Sequence, residues 1–173
     1  MKILAFGAST SSTSINRQLA NLAALQVEGA EVTGLDLRHF YLPIYSSDEE
    51  EQNGIPQAAH DFKALIESHD RIIISMAEHN GSYTAAFKNL YDWTSRIDVE
   101  VWGGKPMLLL ATSPGARGGA TVLGAAEATF PRMGADLKAT FILPSFYDNF
   151  AEGEISDPEL ADKLKQAVAA FSA

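Results

Sequence analysis

Two kinds of hydrophobic pattern alternate along the chain. Ile3–Phe6 reads as a buried strand, and Glu31–Leu37 alternates with the period of two that a half-buried strand shows. Arg71–Ser75 (RIIIS) is a continuous apolar run, as expected of a parallel strand covered on both faces. Lys105–Thr112, entered through Gly103-Gly104, and Asp136–Leu143 complete five predicted strands. Between them the apolar spacing lengthens to the helical period. The first helix is expected from Ile15 to Gln26, with Leu19, Leu22, Ala23 and Gln26 on one mostly apolar stripe. A second begins at Pro56, a residue suited to a first helical turn, and runs to about Ser68. A third spans about Ser82 to Arg96, and a fourth follows Gly118-Gly119 and runs to about Met133. The last opens at Asp157-Pro158-Glu159, with Asp157 as cap and Pro158 at the first helical position. Residues from Arg38 to about Ile55 read as a long loop containing Leu42-Pro43-Ile44-Tyr45 and a solvated acidic run, Asp48–Glu51.

Strands alternating with helices predict an α/β fold with one parallel sheet covered on both faces. Right-handed crossovers then favour the flavodoxin-like three-layer sandwich, a five-stranded sheet in the order 2-1-3-4-5, as a single domain over residues 1–173. In that order the C-terminal ends of strands 1, 3 and 4 lie side by side, so three loops distant in sequence should meet.

Composition narrows the chemistry. The chain has 173 residues, 46% of them hydrophobic, and no cysteine. Disulfides, thiolate nucleophiles and cysteine-ligated iron–sulfur clusters are therefore excluded. No apolar run approaches the roughly 20 residues of a membrane span, and Met1–Phe6 reads as a first strand rather than a signal peptide. The expectation is a cytoplasmic protein with no membrane partner. A formal net charge of -9 argues against nucleic-acid binding, which needs a basic surface.

The first loop, Gly7 to Asn16, carries six consecutive hydroxyl residues, Ser9 to Ser14, before a helix. Open amides and the helix dipole at such a terminus suit an anion, and hydroxyls add donors without charge. It lacks the Gly-Lys-Ser/Thr of a Walker loop and the G-x-G-x-x-G of a dinucleotide fold. It reads either as a phosphate site or as a Ser/Thr-rich turn capped by Ser14. The second loop is Glu78-His79-Asn80-Gly81-Ser82, where Asn80-Gly81 marks a turn. The third is Thr112-Ser113-Pro114-Gly115-Ala116-Arg117-Gly118-Gly119, whose glycines permit either close approach to a flat ligand or simple flexibility. No Ser/His or Cys/His pair is present to serve as a nucleophile and its base, and no catalytic residue or metal ligand is assigned.

These loops, in this order, resemble those of the NAD(P)H-dependent FMN reductases, the flavodoxin-like quinone, azo and chromate reductases. That family shows Gly-Ser-x-Arg-x-x-Ser-x-Asn in the first loop; Ser9, Ser14 and Asn16 match, while Ala8 and Ser11 stand for the Gly and the Arg. Its Pro-Glu-Tyr-Asn-Gly-Ser becomes Ala77-Glu78-His79-Asn80-Gly81-Ser82, followed by a matching Lys88-Asn89 and Asp92-Trp93. Its Ser-Pro-Gly-x-x-Gly-Gly matches fully. The resemblance implies FMN, with the phosphate on Ser9, Ser11, Ser14, Ile15 and Asn16. It places the ring against Glu78, His79, Asn80, Gly81 and Ser82 on one side and Ser113, Pro114, Gly115, Gly118 and Gly119 on the other. It further implies NADPH or NADH as co-substrate, a small-molecule electron acceptor, and a homodimer or homotetramer with Trp93 and Trp102 among its contacts. The alternatives are a flavodoxin-type electron carrier without its own NAD(P)H site, and a family member that has lost flavin.

Overall fold

In the computed structural model, which describes residues 1–173, five strands pair in parallel. They are β1 (Lys2–Gly7), β2 (Glu31–Leu35), β3 (Arg71–Met76), β4 (Pro106–Thr112) and β5 (Asp136–Leu143), in the order β2-β1-β3-β4-β5. This is the expected sheet. Its central strands are apolar throughout because both faces are covered. Leu4, Phe6, Ile72, Ile74, Met107 and Leu109 point into one core, and Ile3, Ala5, Ile73, Leu108 and Leu110 into the other.

The helices are α1 (Ile15–Leu25), α2 (Ser47–Asn53), α3 (Gln57–Ser68), α4 (Ala85–Ile97), α5 (Ala120–Thr129), α6 (Phe146–Asn149) and α7 (Pro158–Ser172). Residues of α1 and α7 fill one core; residues of α3, α4 and α5 fill the other. Asp157 caps α7 as predicted, accepting from the Leu160 amide.

Four expectations are corrected. Strand 2 stops at Leu35, and Leu37–His39 forms a 3-10 turn whose start is fixed by the Asp36 carboxylate accepting from the Arg38 amide. The acidic run is helical. Ser46 caps α2 by accepting from the Glu49 amide, and Glu50 is held by the Tyr45 hydroxyl and the Arg96 guanidinium. Three acidic residues in the first turn suit the positive end of its dipole. The third predicted helix begins three residues late, at Ala85 behind the cap Thr84. Ahead of it Glu78–His79 and Ser82–Tyr83 pair as a small antiparallel hairpin. Asn80 and Gly81, at φ 52° and 74°, both occupy the left-handed region that a tight hairpin turn requires. Finally, Trp93 and Trp102 are fully buried within one chain, and the Trp93 indole donates to the Pro43 carbonyl at 2.8 Å. Neither ring is available to a second subunit.

Candidate functional site

Gly7 sets the geometry of the first loop. A Cβ there would lie 2.4 Å from the Arg17 amide nitrogen, so only glycine lets the start of α1 sit against the end of β1. The helix is then pinned by Asn16, whose side chain is buried. Its Oδ1 accepts from the Thr112 amide at 3.1 Å and the Ser75 hydroxyl at 2.7 Å, while its Nδ2 donates to the Thr112 carbonyl at 3.1 Å. One side chain thus fastens α1 to the ends of β3 and β4. Asn16 is a clamp through its oxygen and one N–H of its side chain, while the residue still lines the cleft between the three loops. Two further hydroxyls extend the seam: Thr112 donates to the Leu143 carbonyl and Thr84 to the Ala8 carbonyl.

The hydroxyl loop organises itself. Ser9 Oγ accepts from the Ser11 amide, Ser11 Oγ from the Thr13 amide, and Ser14 Oγ from the Arg17 amide. A hydroxyl has one donor and two acceptor positions, so these bonds fix the loop while leaving O–H donors for a ligand. The Ile15 and Asn16 amides, at the open end of α1, have no partner in the protein. Arg17 turns away from this concavity. Its guanidinium donates to the Ser12 carbonyl and pairs with Asp36 at 3.0 Å. Arg38 pairs with the same carboxylate at 2.6 Å. Hydrogen bonding from Arg38, with both positive charges nearby, holds the Asp36 carboxyl well below the usual carboxylate range.

The three loops do meet. A cleft of about 190 Å³ is lined by nine of the predicted residues: Ser9, Ser11, Ser14, Ile15, Asn16, Glu78, His79, Ser113 and Pro114. Thr13, Ala77, Thr112 and Tyr147 complete its wall. Sequence reasoning passed over Thr13, although it lies in the hydroxyl run, and had no signal for Tyr147. Asn80, Gly81 and Ser82 sit at and beyond the hairpin tip and Gly115 at the loop crest, all outside the wall. Gly118 and Gly119 are packed beneath it. A Cβ on Gly118 would lie 2.4 Å from Ile142 Cγ2, and one on Gly119 3.2 Å from Ala111 Cβ, and both residues have positive φ. These two glycines let the chain turn tightly over β4 and β5, so their part in the loop is first of all conformational. Glu78 is also structural in part. Its carboxylate accepts from the Val122 amide at 2.9 Å, capping α5 from the hairpin. That amide is therefore not free for a ligand.

No lysine or arginine lines the cleft, and its one carboxylate, Glu78, is tied to α5. Open amides and neutral O–H donors at one end and backbone turns at the other fit a phosphate joined to a flat ring, so the residues present fit FMN. The sheet order and the position of the cleft at the C-terminal strand ends define a flavodoxin-like α/β protein. Residues 1–147 match the model of the NADPH-dependent FMN reductases, and the chain belongs to that family. It is similar to a 2-hydroxy-1,4-benzoquinone reductase from Burkholderia sp, with 37% identity over 120 residues; the match spans 68% of this chain and 63% of that protein. It is 28% identical over 185 residues to an NADPH:quinone oxidoreductase from Arabidopsis thaliana, covering 100% of this chain and 91% of the other. Among solved structures it resembles the flavoenzyme NAD(P)H:(acceptor) oxidoreductase from Paracoccus denitrificans, with a TM-score of 0.78 and 25% identity over 99% of this chain and 94% of that one.

Proposed function

We propose that this protein is an NAD(P)H-dependent FMN oxidoreductase that reduces a small acceptor, with a quinone as the first candidate and azo compounds, free flavin or metal oxyanions in the same class. FMN, when bound, supplies the hydride relay between nucleotide and acceptor. The chain's part is to bind and orient. The Ile15 and Asn16 amides and the hydroxyls of Ser9, Ser11 and Ser14 hold the phosphate. The Ser113–Gly115 backbone and the Glu78–Ser82 hairpin flank the ring. No side chain is asked to move a proton.

The observation that carries this reading is the convergence of free helix amides, unspent hydroxyl donors and the two flanking loops in one cleft. Its test is to reconstitute the protein with FMN and follow NADPH and NADH oxidation with benzoquinone as acceptor. Turnover with a nucleotide and a quinone alone is the expected result. Protein that retains FMN yet is reduced by neither nucleotide is instead a carrier of the flavodoxin type, and failure to take up FMN rejects both.

The reading includes a homodimer or homotetramer in the cytoplasm. With Trp93 and Trp102 buried, support for self-association moves to Tyr41 and Ile44, which are 93% and 76% exposed beside Ala85 and Ala86 of α4. An exposed apolar groove of this kind marks an interaction surface, and light scattering reads the oligomer directly. No helix is long and apolar enough to cross a membrane.

A further inference from the structure

Tyr147 stands in the cleft wall with its side chain 72% exposed, and its hydroxyl makes no hydrogen bond within the protein. The segment that presents it is firmly built. Ser145 takes a left-handed conformation, φ 44° and ψ 62°, which is unfavourable for a residue with a Cβ and is kept only where the surroundings enforce it. The enforcing contacts run to the third loop: the Ser145 amide donates to the Gly115 carbonyl and the Phe146 amide to the Ser113 carbonyl, both at 3.0 Å. Phe146 is buried in the core shared by α1 and α7, where it stacks on Phe150 with centroids 4.6 Å apart. A strained turn anchored at its neighbours therefore delivers one exposed phenol to the cleft.

Phe146 belongs to the same core layer as α1, whose N-terminus carries the hydroxyl loop, whereas Tyr83 of the hairpin packs against the opposite layer. The turn that carries Tyr147 is thus seated from the side of the sheet that α1 covers, and the hairpin from the other. The cleft wall holds no lysine or arginine, since Ser11 is neutral and Arg17 is turned onto Asp36 and Ser12. We propose that Tyr147 is a phosphate-end binding residue, its hydroxyl donating to the FMN phosphate across the cleft from the hydroxyl loop. A neutral donor to a charged oxygen is a strong hydrogen bond, and here it adds to the amides and serines where no guanidinium reaches. The proposal rests on the FMN site set out above.

The experiment titrates the apoprotein, its Tyr147→Phe variant and its Tyr147→Ala variant with FMN and with riboflavin, following flavin fluorescence. Tyr147→Phe removes one oxygen from an exposed side chain and leaves the packing of Phe146 intact. It should weaken FMN binding by roughly tenfold or more, the loss expected for one hydrogen bond to a charged group, and leave riboflavin binding unchanged. Tyr147→Ala should match it. Wild-type affinity for FMN in Tyr147→Phe would overturn the proposal while leaving the FMN site standing. So would equal weakening of FMN and riboflavin by Tyr147→Ala with no effect of Tyr147→Phe, which would make the ring a cover over the isoalloxazine. A wild-type protein that binds neither flavin would overturn the site and the proposal together.

Discussion

The two ends of the cleft are held by different means. At the phosphate end the loop is tied by its own hydroxyls, and the helix behind it is clamped to two strands by a buried amide. At the ring end the hairpin has only two residues in each strand and turns through two left-handed residues. Its polar anchors are Glu78 on the Val122 amide, Tyr83 on the Thr129 hydroxyl and, just beyond the hairpin, Thr84 on the Ala8 carbonyl. On the function proposed above, the end assigned to phosphate is tied by bonds within its own loop and helix, whereas the hairpin assigned to the ring is tied mainly by side chains reaching α5 and its flanks. Substitutions should separate the two.

The largest effect belongs to Asn16→Ala. It leaves the Thr112 amide, the Thr112 carbonyl and the Ser75 hydroxyl unpaired in a buried position, and each such group costs about 1–3 kcal/mol. Without full additivity the expected loss is still about 3 kcal/mol or more, read from urea unfolding, with FMN binding weakened alongside. An unfolding midpoint equal to wild type would show that the clamp does not fix α1.

Ser11→Arg works on the same end in the opposite direction. The loop presents Ser11 exposed at the cleft wall, and a guanidinium there would supply a charge-assisted phosphate contact that the wall lacks. At about 1.5–3 kcal/mol the gain is roughly ten- to a hundredfold in FMN affinity. Riboflavin should not share it. A titration showing unchanged or weaker FMN binding would place the phosphate elsewhere.

How much of this was legible follows from what periodicity reports. Apolar runs marked the central strands, because burial on both faces leaves a pattern of its own; the edge strand β5, only partly buried, was placed to both ends as well. Helix α2 was missed because it buries no residue and so carries no apolar stripe; its caps and ion pairs become visible only with Glu50 beside Arg96. The hairpin shows in the sequence only as a turn at Asn80-Gly81, with its second strand taken into the helix that follows, because two-residue strands are too short to alternate. Loop chemistry placed nine site residues in one cleft but not the direction of their bonds. Asn16 and Glu78 point into the fold as much as into the cleft, and Gly118 sits where a Cβ would strike Ile142. The aromatic content of Trp93 and Trp102 signalled burial but not whether a core or a partner provides it. Tyr147 belongs to no motif, and only the docking of its turn on Ser113 and Gly115 brings it to the site.

At the ring end the expected effect is smaller. Glu78→Ala removes the acceptor that caps α5, a change that typically costs about 1 kcal/mol. Glu78→Gln keeps an acceptor but loses the charge facing the helix dipole, so it should recover more than half of that loss. Phosphate affinity, taken as the difference between FMN and riboflavin binding, should stay constant in both variants. A fall in that difference would mean that the two ends are coupled and the contrast drawn between them is too sharp.

The smallest effect tests the outer edge of the phosphate end, where Asp36 holds Arg17 and Arg17 holds the Ser12 carbonyl. Because the folded-state pKa of Asp36 is depressed, its ionisation contributes stability above the unfolded value of about 3.9. That contribution declines as the pH falls below this value toward the lowered one. The ion pairs are partly exposed, so Asp36→Asn should cost less than about 1 kcal/mol at pH 7. The gap from wild type should begin to close below about pH 4. Urea unfolding of the two proteins from pH 7 down to pH 3 checks both size and sign. A gap that widens with acid would mean that Asp36 is raised rather than lowered in the folded state, and that the guanidiniums face the loop instead of the carboxylate.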